Sequence, residues 1–322
     1  MASFIGHREI KDFAEDRVNL PATTATKHRE QVNGLRDRLK RKIEADPHYG
    51  VVKMLHAGSV AKGTALRDVH DLDTAVYVKV AAAPDGSDGQ LIHWLAERLF
   101  EANTNMTRDQ FVENPHCVTV SFKGSGLDVD VVPVLYEGDD DDLGYLVRKQ
   151  TGDRVLTSIT LHLRFLRDRK SKYGPNFAEL IRLTKWWRRT VTTRDENFRF
   201  KSFMIELLWA HLADHGLDLS DDTKALERFF AYIVKGEFEK QVSFTDFCTA
   251  SELPARSNAP VEVLDPVNAA NNVAGLYYWS DRDRIVTAAR KAFDAITEAR
   301  WAPTKARAVE RWQTVLGPTF KG

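Results

Sequence analysis

Two aspartates one residue apart, Asp71 and Asp73, stand at the mouth of the alternating apolar run Thr74–Val80 (TAVYVKV). On a strand, positions i and i+2 point to the same face, so the two carboxylates lie side by side. Such a pair repels itself and one pKa rises, unless a divalent cation sits between them. A hard cation such as Mg²⁺ takes oxygen ligands of this kind. Upstream, Gly58-Ser59 follows the strand-like Val51–Leu55. A glycine there lets backbone N–H groups approach a phosphate closely, and a serine adds a hydroxyl donor. Downstream, Asp128 and Asp130 alternate with apolar residues in LDVDVVPVL, so both face one side of a second strand. If that strand lies beside Thr74–Val80, one of the two completes a three-carboxylate cluster. Three carboxylates holding two Mg²⁺ ions form the apparatus of in-line phosphoryl or nucleotidyl transfer. A lone DxD says little, since surface strands often begin with polar residues, and a lone GS says less. The ordered set of GS, then DxD on one strand, then D-V-V-P on another is far more specific.

A sheet must hold these residues, and the surrounding patterns supply one. Thr23–Ala45 reads as a long basic amphipathic helix with Val32, Leu35, Leu39 and Ile43 on one stripe. Arg36, Arg38, Lys40, Arg41 and Lys42 lie on the other side, and Asp46-Pro47 stops the helix. Ala83–Gly89 is a turn cluster, and Gln90–Asn103 is helical in period, with Leu91, Trp94, Leu95 and Leu99 aligned. Cys117–Phe122 and Leu127–Leu135 read as strands joined by the hairpin-like Lys123–Gly126. The acidic loop Glu137–Asp142 closes a mixed α/β unit. Helical patterns follow at Ser158–Arg169, Asn176–Thr190, Lys201–His215, Asp221–Tyr232 and Arg282–Ala299. The boundary is expected near residues 137–155, giving domains of residues 1–150, with the long helix, and 151–322.

Composition narrows the classes. The 322 residues are 43% hydrophobic and 29% charged, ordinary for a protein with a real core. Lys+Arg and Asp+Glu are both 46, so the formal net charge is zero. A histone-like, purely electrostatic nucleic-acid binder would need a basic excess. Cys117 and Cys248, the two cysteines, cannot build a zinc knuckle or a disulfide framework, and they fit a reducing compartment. The N-terminus lacks the apolar run of a signal peptide, and no stretch approaches the ~18 apolar residues of a membrane span. The expectation is a cytoplasmic protein with no membrane and no obligatory nucleic acid.

GSVAKGTALRDVHDLD with a later VDVVP resembles the polymerase-β-type nucleotidyltransferase superfamily. Within it, the chain resembles the group of oligoadenylate synthetases, cyclic GMP-AMP synthases and bacterial CD-NTases. IRLTKWW and KSFMIELLWA are similar to the two helices that line the nucleotide from the other side in that group. VLDPVNAANNVAG is similar to the LDP…NNVAG segment of oligoadenylate-synthetase-type proteins. The resemblance spans roughly residues 30–300 and points first to a bacterial CD-NTase. It implies an α+β fold: a polymerase-β-type nucleotidyltransferase domain with a mixed sheet, then an oligoadenylate-synthetase-like helical domain that binds nucleotide.

The same resemblance implies roles. Asp71 and Asp73 hold both metals. Asp130, directly before Val131-Val132-Pro133, is the third ligand and helps activate the attacking ribose hydroxyl, while Asp128 supports it. Gly58 and Ser59 hold the β- and γ-phosphates, Lys185 and Lys201 contact the triphosphate, and Ser202 hydrogen-bonds it. Phe203 stands where relatives often stack a Tyr on the base, keeping the ring face without the hydroxyl. The implied cofactor is Mg²⁺, two ions, with Mn²⁺ as a substitute. The implied activity condenses nucleoside triphosphates, ATP with or without GTP, into a cyclic di- or trinucleotide second messenger, releasing pyrophosphate, in anti-phage (CBASS) signalling. Implied partners are a HORMA-type activator or a ubiquitin-transfer-like ligase acting on the C-terminus. The tail GPTFKG looks flexible, which suits the ligase, although a frayed terminus is the commoner explanation.

Other conspicuous residues have plainer readings. Trp186 and Trp187 are expected to pack, Arg188 and Arg189 to form a solvated face or an acceptor-side contact. His56 and His70 flank the motif without a His/Cys constellation, and His70 is expected to orient the loop. Asp139–Asp142 reads as a solvated loop. Asn271 and Asn272 suit a base edge and a turn equally. The stripe Lys27–Lys42 reads as a solvated helix face, since the zinc-binding insertion of the animal DNA-sensing relatives is missing. A tRNA CCA-adding-type enzyme would need a further domain for the acceptor stem. A non-catalytic nucleotide sensor would tolerate loss of a carboxylate, whereas all three are present.

Overall fold

The computed structural model describes residues 3–46, 48–69, 71–84, 90–136, 138–139, 141–147, 153–236, 238 and 240–322, and only the backbone of Asp71. His70, residues 85–89 of the expected turn cluster, and Glu137 and Asp140 of the acidic loop lie outside the described residues. The chain divides into two units: Leu20–Arg164, and Met1–Asn19 together with Phe165–Gly322.

In the first unit the expected long helix is α2, Ala22–Ala45. Its stripe of Val32, Leu35 and Leu39 is buried with Leu95 and Leu99 of the helix Gln90–Ala102. Among the described residues, seven strands make one sheet: β1 Val51–His56, β2 Asp71–Lys79, β3 Phe111–Glu113, β4 Val118–Phe122, β5 Leu127–Tyr136, β6 Gly144–Val147 and β7 Arg154–Thr157. The order is β1-β2-β5-β4-β3, with β6 on β5 and β7 on β6. Only β2 and β5 run parallel among these pairs, so the sheet is mixed as expected. Leu72, Val76 and Val78 of β2 and Val129 and Val131 of β5 enter the core under the helices. The period of two therefore sends Asp73, Asp128 and Asp130 to the opposite face. On that face a smaller cluster forms around Ala75, Tyr77 and Val134.

The acidic loop is not a solvated loop throughout. Asp142 has φ +57° and half-buried surroundings. Its carboxylate pairs with Lys53 and accepts a hydrogen bond from the Thr160 hydroxyl at 2.6 Å. Tyr77 donates its hydroxyl to the Asp142 carbonyl at 3.1 Å, and burial pushes that phenol up to about 12. The reason is β6, which begins two residues later and folds the loop back onto the sheet.

The second unit holds the helices Pro175–Thr192, Ser202–Asp214, Asp222–Val234, Trp279–Arg300 and Lys305–Leu316, the last without an expected counterpart. Trp187 is buried edge-on to Phe198, Phe200 and Phe230. Trp186 donates its indole N–H to the Leu316 carbonyl at 2.7 Å, so both tryptophans are packing residues. The expected single cut near residue 150 differs at both ends. The helix His7–Phe13 and the π turn Ala14–Val18 belong here because Ile10, Phe13, Ala14 and Val18 are buried. Phe13 meets Trp186 at 5.7 Å and Phe320 at 5.3 Å, and Asn19 donates to Glu179 at 3.0 Å. At the other end, β7 lies beyond residue 150 and the boundary falls inside the helix Ile159–Tyr173. The tail is docked, not flexible: Phe320 is 0% exposed and its carbonyl accepts from the Gln313 amide at 2.9 Å. Among the described residues no helix is long and apolar enough to cross a membrane.

Candidate active site

The parallel pair β2–β5 sets the carboxylates. Its register puts Asp73 level with Asp130 and Asp71 level with Asp128. Neighbouring strands are about 4.8 Å apart, so each level pair sits across one strand spacing. The side chain of Asp71 lies outside the described residues, and only its place at the start of β2 is given. Asp73 is exposed, and Asp130 is partly buried. Sequence alternation put Asp128 and Asp130 on one face without choosing between them; pairing makes Asp130 the neighbour of Asp73.

Glycine at 58 has a specific cause. Gly58 opens the short helix Gly58–Lys62 with φ +63°, a conformation that side chains disfavour. A Cβ there would lie 1.8 Å from Asp73 Oδ2 and 2.5 Å from Asp73 Cβ. The Ala57 N–H also donates to the Asp73 carbonyl at 2.9 Å. The Gly58-Ser59 turn and Asp73 are thus one local structure, with Ser59 partly buried in its first turn.

Asp130 is oriented from β4. Thr119, its cross-strand partner, donates its hydroxyl to Asp130 Oδ1 at 2.5 Å, and the Asn114 amide donates to the Thr119 hydroxyl at 2.7 Å. Burial and the adjacent Asp130 charge push the Cys117 thiol up, so it stays a thiol. His56 lies at 2.9 Å from the Asn33 side chain, and burial, aided by Arg36 and Arg29, pushes its imidazole down. An exposed or half-exposed, oxygen-only set on level strands suits a hard divalent cation.

In the helical unit, Lys185 and Glu206 form a buried ion pair at 2.6 Å, with Lys185 3% exposed. Lys201 is exposed; its ammonium donates to the Val273 carbonyl at 2.8 Å and its backbone N–H to the Tyr277 hydroxyl at 2.8 Å. Arg188 donates to the Ser202 hydroxyl at 2.9 Å, and Phe203 follows, partly buried. Arg188 is therefore no solvated face, while Arg189 lies over the Trp186 ring at 4.0 Å. Asn272 is a turn residue: its side chain accepts from Val263 and Ala274 N–H groups and donates to the Val261 carbonyl. Sequence reasoning named Arg188 only as a solvated face or an acceptor-side contact, and it missed Tyr277, Thr119 and Asn114. Arg188 had a signal, standing one helical turn beyond Lys185 on the same face; the other three had none.

A glycine-serine turn locked to an aspartate, level with a second aspartate on a parallel strand, is the arrangement that the resemblance to polymerase-β-type nucleotidyltransferases implies. The family described as Second Messenger Oligonucleotide or Dinucleotide Synthetase domain (SMODS) matches residues 6–151. The chain is 45% identical over 318 residues to a cyclic AMP-AMP-AMP synthase of Escherichia coli (strain MS 115-1), covering 99% of this chain and 98% of that protein. It superposes on the solved E. coli MS115-1 CdnC with ATP at a TM-score of 0.95 and 44% identity, covering 99% and 100% of the two chains. On CdnC in complex with HORMA-deltaN the TM-score is 0.94 at 44% identity, covering 99% of each. The chain belongs to the bacterial CD-NTase family of CBASS oligonucleotide cyclases, and it is a nucleotidyltransferase.

Proposed function

We propose that this enzyme condenses ATP into a cyclic trinucleotide of AMP with release of pyrophosphate, in the cytoplasm, as the signal-producing step of anti-phage defence. The observation that carries the chemistry is the level pair Asp73–Asp130, with Gly58 packed on Asp73. The choice of ATP and of a three-membered ring rests on the likeness to the cyclic AMP-AMP-AMP synthase.

Asp71, Asp73 and Asp130 would hold two Mg²⁺ ions. When bound, such ions neutralise the triphosphate and stabilise the attacking and leaving oxygens of an in-line displacement. The protein residues do the rest. The Gly58-Ser59 turn presents main-chain N–H groups and a hydroxyl to the β- and γ-phosphates of the donor. Asp130, held at Oδ1 by Thr119, would offer its carboxylate to a cation or take the proton of the attacking ribose hydroxyl. That hydroxyl oxygen bonds to the α-phosphorus and the bond to pyrophosphate breaks; a last, intramolecular repetition closes the ring. Lys201 and Ser202 would contact the triphosphate and Phe203 the base. Lys185 would join them by exchanging Glu206 for phosphate. A HORMA-type protein is the proposed partner, on the strength of the relative's complex. The docked tail offers nothing in support of a ligase acting on it.

The test incubates the pure chain with ATP, GTP, CTP, UTP and Mg²⁺, with and without a HORMA-type partner, then applies phosphatase and mass analysis. A phosphatase-resistant product of three AMP units is expected. Extension of added tRNA alone would favour a CCA-adding-type enzyme, and no turnover in any mixture a nucleotide sensor.

A further inference from the structure

We infer that Asn114 and Thr119 form a positioning relay for Asp130, in which the acceptor-only carboxylate takes the Thr119 proton and the Asn114 amide holds the hydroxyl from behind. The inference rests on the reading of Asp130 as a cation-holding carboxylate. A threonine hydroxyl has one proton and two lone pairs. Here the proton goes to Asp130 Oδ1 at 2.5 Å, and a lone pair takes an N–H of Asn114 at 2.7 Å. Because an ionised carboxylate can only accept, the Thr119 proton goes to Asp130, and the hydroxyl then meets Asn114 only as an acceptor, which the amide nitrogen satisfies and holds in place. The bond so formed is charge-assisted, a kind roughly twice as strong as a neutral one.

The relay is anchored at both ends by backbone. Thr119 and Asp130 are cross-strand partners on β4 and β5. The Asn114 N–H donates to the Cys117 carbonyl at 2.9 Å, which fixes the turn between β3 and β4. Asp130 is also fastened along its main chain, where Thr74 of β2 donates its hydroxyl to the Asp130 carbonyl at 3.3 Å. One carboxylate oxygen is thus tied back toward the sheet and the rotamer is held, with the Cys117 thiol hydrogen-bonded into the same cluster. Groups that orient a metal ligand in this way typically change metal affinity or activity about 10–100-fold when removed.

The experiment uses the full chain and two readouts: Mn²⁺ binding by paramagnetic resonance titration with a non-hydrolysable ATP analogue present, and steady-state turnover of ATP. Thr119→Val keeps the shape and removes the hydroxyl. It should weaken Mn²⁺ binding and lower kcat by about 10–100-fold with KM for ATP within about twofold of wild type. Thr119→Ser should restore both. Asn114→Asp should fall below Asn114→Ala, because a carboxylate competes with Asp130 for the Thr119 proton. Wild-type Mn²⁺ affinity in Thr119→Val, failure of Thr119→Ser to restore it, or Asn114→Asp at or above Asn114→Ala would overturn the relay. A wild-type chain that makes no product would overturn the functional reading instead, and the Mn²⁺ titration would still judge the relay.

Discussion

Gly58→Ala tests whether the glycine-serine turn and Asp73 are one structure. Two separate penalties follow from the geometry. Holding φ at +63° costs an alanine about 1–2 kcal/mol. The new Cβ would stand 1.8 Å from Asp73 Oδ2, where contacts under 3.0 Å essentially never occur, so the carboxylate must move by at least 1.2 Å. Rotating the side chain does not suffice, because Asp73 Cβ is itself only 2.5 Å away and moves only with the strand. Such overpacking adds about 1–3 kcal/mol. The sum lowers the melting temperature by roughly 5–15 °C. Displacement of about 1 Å at a reacting centre costs on the order of 10²-fold in rate, so turnover of ATP should fall by at least that. The control is Gly126→Ala in the β4–β5 hairpin, at φ +68° with nothing within 4 Å of its added Cβ. It meets the backbone penalty alone and should keep its activity. Measured side by side by calorimetry and product formation, the two variants separate strain from collision. Activity of Gly58→Ala within a few-fold of Gly126→Ala would refute the close approach to Asp73.

Lys185→Met should destabilise the helical unit by about 3–5 kcal/mol, since it strands a buried Glu206. Lys185→Met/Glu206→Met should recover most of the melting temperature while KM for ATP stays raised; a recovered KM would make Lys185 a folding residue only. Phe320→Ala removes a fully buried ring packed on Phe13 and should cost about 3–5 kcal/mol by chemical denaturation, whereas a frayed tail would lose almost nothing. Burial, then Glu179, pushes the Asp222 carboxyl up to about 6 against the partial opposition of His7. The native state therefore binds more protons than the unfolded chain between about pH 4 and 6, and this group's contribution is lost as pH rises through 6. Asp222→Asn should then stabilise the protein at pH 7.5, by up to about 3 kcal/mol, and flatten its stability profile between pH 4 and 6 in thermal melts; an unchanged profile would count against the buried carboxyl.

Much of the fold was legible because its signals are local. A stripe at 3.6-residue spacing announced Ala22–Ala45 to within a residue, and alternation announced β2, β4 and β5. The chemistry was legible for the same reason: an i, i+2 pair on a strand must share a face, so Asp71, Asp73, Asp128 and Asp130 could be named as candidates from residue order alone. Strands of three or four residues, β3, β6 and β7, contain too few positions to show a period, and with them the true end of the sheet unit went unseen.

Tertiary structure decided what depends on partners distant in the chain. Whether His7–Val18 belongs with the sheet or with the helices turns on Trp186, Glu179 and Phe320, and nothing in its own sequence encodes them. The same holds for Asn272, whose amide could serve a base or a backbone until Val261 and Val263 were seen around it. It holds for Thr119, an ordinary strand threonine until register set it opposite Asp130. Periodicity describes which way a side chain points; register and packing decide what it meets, because hydrogen bonds and buried contacts act over a few ångströms between residues that the chain separates by tens or hundreds of positions.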